Sequence, residues 1–155
     1  MHSFRDNRPW VNGEFEISTD PDRIDLIAVH QFLTNSYWAK GIPVEIVQQS
    51  IQNSLCFGIY REKQQVGFAR VITDGATFAY LADVFILELY RGRGLSKWLM
   101  ECIIAHPQLQ GLRRWMLATR DAHKLYGHFG FAPLKSPDRF MELHAPDVYG
   151  GSVGS

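Results

Sequence analysis

Residues 91–96 read Arg-Gly-Arg-Gly-Leu-Ser, and they open a stretch in which Leu95, Trp98, Leu99, Cys102 and Ile103 recur at helical spacing. The run before them, residues 77–86, has the composition of a strand. A strand that feeds a glycine loop and then a helix start offers unpaired backbone N–H groups and the positive end of a helix dipole, which suits a phosphate. Gly92 and Gly94 let the backbone approach an anion closely, and Arg91 and Arg93 add permanent charge beside it. The context points to a pyrophosphate site. The alternative is a glycine-containing loop carrying two solvated arginines. A P-loop needs G-x-x-x-x-G-K-[ST], which is absent from the chain, and a G-x-G-x-x-G dinucleotide fingerprint fails because Lys97 holds the third glycine position.

Few other residues carry a spacing that specifies chemistry. Cys56 and Cys102 sit inside apolar runs without a partner at metal-ligand spacing, and they read as reduced packing residues. His123 and His128 are five apart, poor spacing for a shared metal, and no metal is expected. Ser96 does not stand in G-x-S-x-G and has no evident triad partner. Tyr126 shares a helical face with Ala122, Leu125 and Phe129, so spacing alone reads it as core packing.

The elements that must position these groups follow from the apolar pattern. Residues 14–18 alternate like a half-buried strand, residues 19–22 offer N-cap chemistry, and a helix is predicted up to about residue 36. A second short helix is predicted over 44–50. Strands are expected over 55–61, 66–73 and 77–86, with a hairpin at 62–65 and an Asp74-Gly75 turn. The helix over 94–106 stops at Pro107, a strand covers 114–118, and a helix over 121–129 is closed by Gly130. A last strand is predicted over 140–143. The sum is a mixed α/β (α+β) domain with one central sheet, antiparallel early and switching to strand–helix–strand units later.

Composition agrees with one globular domain: the chain has 155 residues, 46% of them hydrophobic and 21% charged. Residues 1–147 are read as that domain and the Gly/Ser-rich residues 148–155 as a flexible tail. Lys plus Arg equals Asp plus Glu at 16 each, so nucleic acid and anionic membranes are not expected partners. No signal peptide or spanning segment is evident, and a cytoplasmic location is expected.

Two motifs resemble those of the GCN5-related N-acetyltransferases (GNAT). Arg91-x-x-Gly94-x-Ser96 is similar to that family's Q/R-x-x-G-x-G/A loop, and DVFILELYRGRG, residues 83–94, resembles the segment that carries it. Residues 122–131, Ala-His-Lys-Leu-Tyr-Gly-His-Phe-Gly-Phe, match the family's Ala-x-x-Leu-Tyr-x-x-x-Gly-Phe at every specified position. The resemblance spans about residues 14–143, with 66–133 carrying nearly all of it. Three positions depart from the pattern. Glu88 stands where many members have proline, Ser96 replaces glycine or alanine, and Thr119 replaces an asparagine that helps hold the pantetheine arm.

The resemblance implies a GNAT-like sheet with helices on both faces, splayed between its fourth and fifth strands, with the pantetheine chain of acetyl-CoA lying in the gap. Acetyl-CoA would be the co-substrate. Its pyrophosphate would rest on Arg91, Gly92, Arg93, Gly94, Leu95 and Ser96, and its thioester beside the backbone of Phe85 and Ile86. Tyr126 would protonate the departing thiolate. Asp83 would act as base directly or through water, or else be a strand aspartate paired with an arginine. Tyr37 and Trp38, between the first two helices, would line the acceptor pocket or cap the core. The implied reaction is acetyl transfer to a primary amine on a small molecule, peptide or protein lysine. The rival is a non-catalytic acyl-CoA-binding module of the same fold. Dimers are common among proteins of this kind, so a homodimer is an open expectation.

Overall fold

The protein, represented by a computed structural model that describes residues 8–150, builds a six-stranded sheet in the order β1-β2-β3-β4-β5-β6. The strands are β1 (Trp10–Asn12), β2 (Phe15–Ser18), β3 (Leu55–Arg61), β4 (Gln64–Thr73), β5 (Phe78–Ile86) and β6 (Arg114–Leu117). Neighbours from β1 to β5 are antiparallel, and β5 pairs with β6 in parallel. The mixed, mostly antiparallel sheet is therefore the one expected. The long apolar runs of β3 and β4 are buried because both sheet faces are covered. Helices α1 (Leu26–Thr34) and α2 (Val44–Gln52) pack over Cys56, Phe68 and Phe85 on one face. Helices α3 (Leu95–Ala105) and α4 (His123–Gly127) pack over Phe57, Ile59 and Val71 on the other.

Local chemistry accounts for most element ends. The Asp25 carboxylate accepts the Ala28 N–H at 3.1 Å and caps α1. The helix thus starts later than residues 19–22 suggest, because Asp20 caps only a separate 3-10 turn, Pro21–Arg23. The 62–65 hairpin is tighter than expected: Glu62 takes φ 57°, and pairing already begins at Gln64. β1 was not expected. Gly13, at φ 62°, folds this three-residue strand back onto β2.

The strand expected over 140–143 does not form, and Met141 and Leu143 are fully exposed. A 3-10 turn, Pro137–Arg139, runs up to this segment, and no strand of the sheet pairs with it. Its recorded link to the sheet is the Arg114 guanidinium, 5.0 Å from the Phe140 ring centre. Of the expected tail, residues 151–155 lie outside the described residues, while Tyr149 packs against the α1–α2 core. Among the described residues no helix is long and apolar enough to cross a membrane.

Two features of β5 prepare the site. Its pairing with β6 ends at Leu81↔Leu117, yet β5 runs on to Ile86. Because β1 adds a strand at the start, β5 and β6 are the strands that the sequence reading counts as fourth and fifth. Opposite β4, Ala82 faces Arg70 and Phe85 faces Phe68, so Asp83 and Val84 share one partner position in a bulge. Asp83 sits there at φ 57°, a conformation Asp tolerates better than most residues. The extra residue reverses the alternation: Ala79 and Leu81 face the α3 core, while Phe85 turns to the α1–α2 core.

Candidate active site

The phosphate loop is built by backbone conformation. Gly92 and Gly94 have φ 78° and 77°, which other residues rarely adopt, and a Cβ at either would meet nothing within 4 Å. The space in front of both is therefore open. Gly94 is the N-cap of α3 and supplies no side-chain cap, so the amides of the first turn, including those of Leu95 and Ser96, face that space without a capping oxygen. Leu95 buries its side chain in the core and fixes the helix start. Arg93 lies over the Tyr90 ring at 5.4 Å, and its guanidinium is 3.8 Å from Glu14. Arg91 makes no ion pair among the described residues. Its Nε–H donates to the Ile86 carbonyl at 2.9 Å. The loop fits a pyrophosphate: open backbone donors, a helix N-terminus and a cation that makes no ion pair among the described residues.

That Arg91 contact also identifies the backbone donor in the gap. The Leu87 N–H bonds the Val66 carbonyl at 2.8 Å, and the register sets Ile86 opposite Gly67. Peptide groups alternate along a strand, so those of Ile86 turn away from β4, toward the side where β6 has ended. Arg91 takes the carbonyl there and leaves the N–H. Phe85, one residue earlier, directs its peptide groups into the β4 ladder. Of the two expected thioester neighbours, Ile86 offers the donor and Phe85 the wall. Thr119 is committed locally, accepting the Ala122 N–H at 3.0 Å ahead of α4, which leaves its hydroxyl proton free to donate.

Tyr126 on α4 is 8% exposed and makes an edge contact with Phe131 at 6.0 Å. Burial, with a smaller contribution from Tyr37, pushes its hydroxyl above the usual tyrosine range, so it is protonated at neutral pH. The packing and proton-donor readings are compatible in this geometry. Among the described residues its hydroxyl makes no hydrogen bond.

Tyr37 and Trp38 do not cap the core, since they are 58% and 42% exposed. They stand edge to face at 5.1 Å, and Trp38 flanks Phe32, which stacks on Phe85 at 3.9 Å. Asp25, Gln31, Phe32, Tyr37, Trp38 and Gln65 help line an open groove of about 700 Å³ on this side. The Asp83 carboxylate accepts the Arg70 Nε–H and the Trp38 Nε1–H, both at 2.8 Å. The Arg120 guanidinium lies 3.5 Å over the Tyr37 ring.

Sequence reasoning missed Arg70, Phe32 and Arg120. Arg70 had a signal, a lone cation inside the apolar run FARVI. Phe32 and Arg120 had none, because their partners are distant in the chain. Cys56 and Cys102 are free and buried, and burial pushes both thiols up to about 12, which suits packing. His123 and His128 are exposed, and among the described residues no group of three His, Cys, Asp or Glu converges as a metal site would.

Comparison with known proteins fits this geometry. The model of the acetyltransferase (GNAT) domain matches residues 52–133. A Gibberella zeae protein classed as an acetyltransferase is 35% identical over 141 residues, covering 76% of this chain and 78% of its own. A Xanthomonas campestris protein assigned to the GNAT family superposes with a TM-score of 0.86 at 51% identity, over 88% of this chain and 96% of that one. A Clostridium acetobutylicum acetyltransferase whose structure contains acetyl-CoA shares the fold, with a TM-score of 0.59 at 13% identity over 84% of this chain and 94% of that one.

Proposed function

The chain belongs to the GNAT acetyltransferase family, and from that premise we propose that it transfers the acetyl group of acetyl-CoA to a primary amine by direct attack within a ternary complex. The observation that carries the proposal is the Ile86 N–H, turned into the gap beside β5 and set next to the glycine loop by the Arg91 contact.

Each residue has a physical task in this reading. The amides of Arg91, Gly92, Arg93, Gly94, Leu95 and Ser96 hold the pyrophosphate at the start of α3. The unpaired edge of β5 guides the pantetheine arm, with the Thr119 hydroxyl as a donor across the gap. The Ile86 N–H bonds the thioester carbonyl and stabilises the oxyanion that forms as the amine nitrogen adds to the carbonyl carbon. The carbon–sulfur bond then breaks, and Tyr126 gives its proton to the departing thiolate. The proton released by the attacking amine goes to solvent and so returns to the tyrosinate. Tyr37 and Trp38 flank the amine's approach, and holding both reactants in one cleft supplies much of the rate.

The test is release of free coenzyme A thiol from acetyl-CoA in the presence of a panel of primary amines, with product mass as confirmation. At least one amine should gain an acetyl group at a rate well above that without protein. Tight acetyl-CoA binding with no turnover across the panel would replace the enzyme by a non-catalytic acyl-CoA-binding module.

A further inference from the structure

The α1–α2 connection is pinned at both ends by local hydrogen bonds, whereas its tip depends on contacts with other elements. Ser36 donates to the Leu33 carbonyl, Gly41 N–H bonds Thr34, and His30 bonds the Ile42 carbonyl at 2.9 Å. The tip, Tyr37 and Trp38, projects toward solvent. Its one hydrogen bond to the sheet is from the Trp38 Nε1–H to Asp83. Asp83 is in turn locked. Its side chain is 10% exposed, it pairs with Arg70 (17% exposed), and Arg70 donates also to the Ser54 hydroxyl at 3.2 Å. A carboxylate with both oxygens already accepting fixed hydrogen bonds, one of them from a guanidinium, is poorly placed to reach an incoming amine.

We propose that Asp83 is a positioning residue: from the β5 bulge it fixes Trp38, and through Trp38 the acceptor wall, and it is not the general base. The proposal rests on the acetyl-transfer reading only in calling that wall the acceptor side. The bulge gives the arrangement its logic. Asp83 and Phe85 both turn to the α1–α2 face there, and they hold Trp38 and Phe32 respectively. The backbone segment that ends at the Ile86 N–H therefore also sets the distance between that donor and the wall an amine must pass. Aspartate suits the position because it tolerates φ 57° and is short enough to serve Arg70 and Trp38 together.

Asp83→Asn and Trp38→Phe separate the two roles. Asparagine tolerates the same backbone conformation but loses the charge, while phenylalanine keeps a ring and loses the indole N–H. Hydrogen exchange of the amides of residues 36–40 needs no acceptor, and it should quicken by about tenfold in either variant, as loss of one charged hydrogen bond predicts. The double variant should exchange no faster than the worse single one. With the best amine of the panel, each single variant should raise the acceptor KM several-fold, keep kcat within about threefold, and leave the shape of the pH profile unchanged. A hundredfold fall in kcat with loss of the acidic limb in Asp83→Asn, but not in Trp38→Phe, would make Asp83 the base and overturn the proposal. Unchanged loop exchange in both variants would overturn it equally. If no amine is acetylated, the reaction reading fails while the exchange measurement still decides the anchor.

Discussion

The two sides of the gap beside β5 are built by different physics. On the loop side, the proposed function rests on the backbone of six consecutive residues: two glycines at positive φ and a helix start without a side-chain cap. On the acceptor side the work is done by side chains from distant positions. Trp38 and Asp83 lie 45 residues apart in the chain, and Arg70 and Asp83 lie 13 apart. As proposed, the loop side would recognise a ligand by its phosphates alone. The acceptor side, made of exposed rings on a tethered tip, is where related chains can diverge without rebuilding the sheet. In the proposed reading Tyr126 stands at the junction, its ring in the α3 core and its hydroxyl serving as proton donor.

This division predicts three separable kinetic phenotypes. The largest belongs to the junction. Tyr126→Phe keeps the ring that packs on Phe131 and deletes the proton donor, so kcat should fall by about 10²–10⁴-fold with acetyl-CoA affinity and thermal stability nearly unchanged. Because burial raises the Tyr126 hydroxyl, the acid form persists to higher pH than for a free tyrosine. Any alkaline loss of kcat due to Tyr126 should therefore lie above pH ~10 and vanish in the variant. Full kcat in Tyr126→Phe, with chemistry shown to limit the rate, would leave water as the donor.

The next effect isolates the loop. Gly94→Asp places a negative charge where phosphate must sit, on a residue that tolerates positive φ better than most, so the fold should persist by circular dichroism. Acetyl-CoA affinity measured by calorimetry should drop by roughly a hundredfold, the scale of one like-charge contact. Undiminished binding would move the pyrophosphate away from residues 91–96. The smallest effect sharpens the acceptor side. Trp38→Ala should raise the amine KM by roughly three- to tenfold and leave the acetyl-CoA KM unchanged, as expected for a half-exposed contact. A change in both constants would mean that the two sides are not independent.

The same division explains what could be read before the fold was known. Arg91, Gly92, Arg93, Gly94, Leu95 and Ser96 were legible because a positive-φ loop and an uncapped helix start depend on residues adjacent in the chain. The apolar runs of β3, β4 and β5 and the periodicity of α3 were legible for the same reason. Where neighbours compete, reading falters: Asp25 rather than residues 19–22 starts α1, and the strand expected over 140–143 finds no pairing partner in the sheet.

The sequence alone thus determined the glycine loop, the order of the central strands and the membership signalled by two short motifs. Only the tertiary structure decided which peptide N–H of β5 faces the gap, because that depends on the bulge at Asp83 and on where β6 stops. It also decided that Asp83 is shared by Arg70 and Trp38 and that Tyr37 and Trp38 stand at the surface. The physical reason is distance along the chain. Backbone conformation and helix capping are set by a few neighbouring residues, whereas a hydrogen bond across 45 residues forms only once the sheet has aligned its strands and the helices have packed on it.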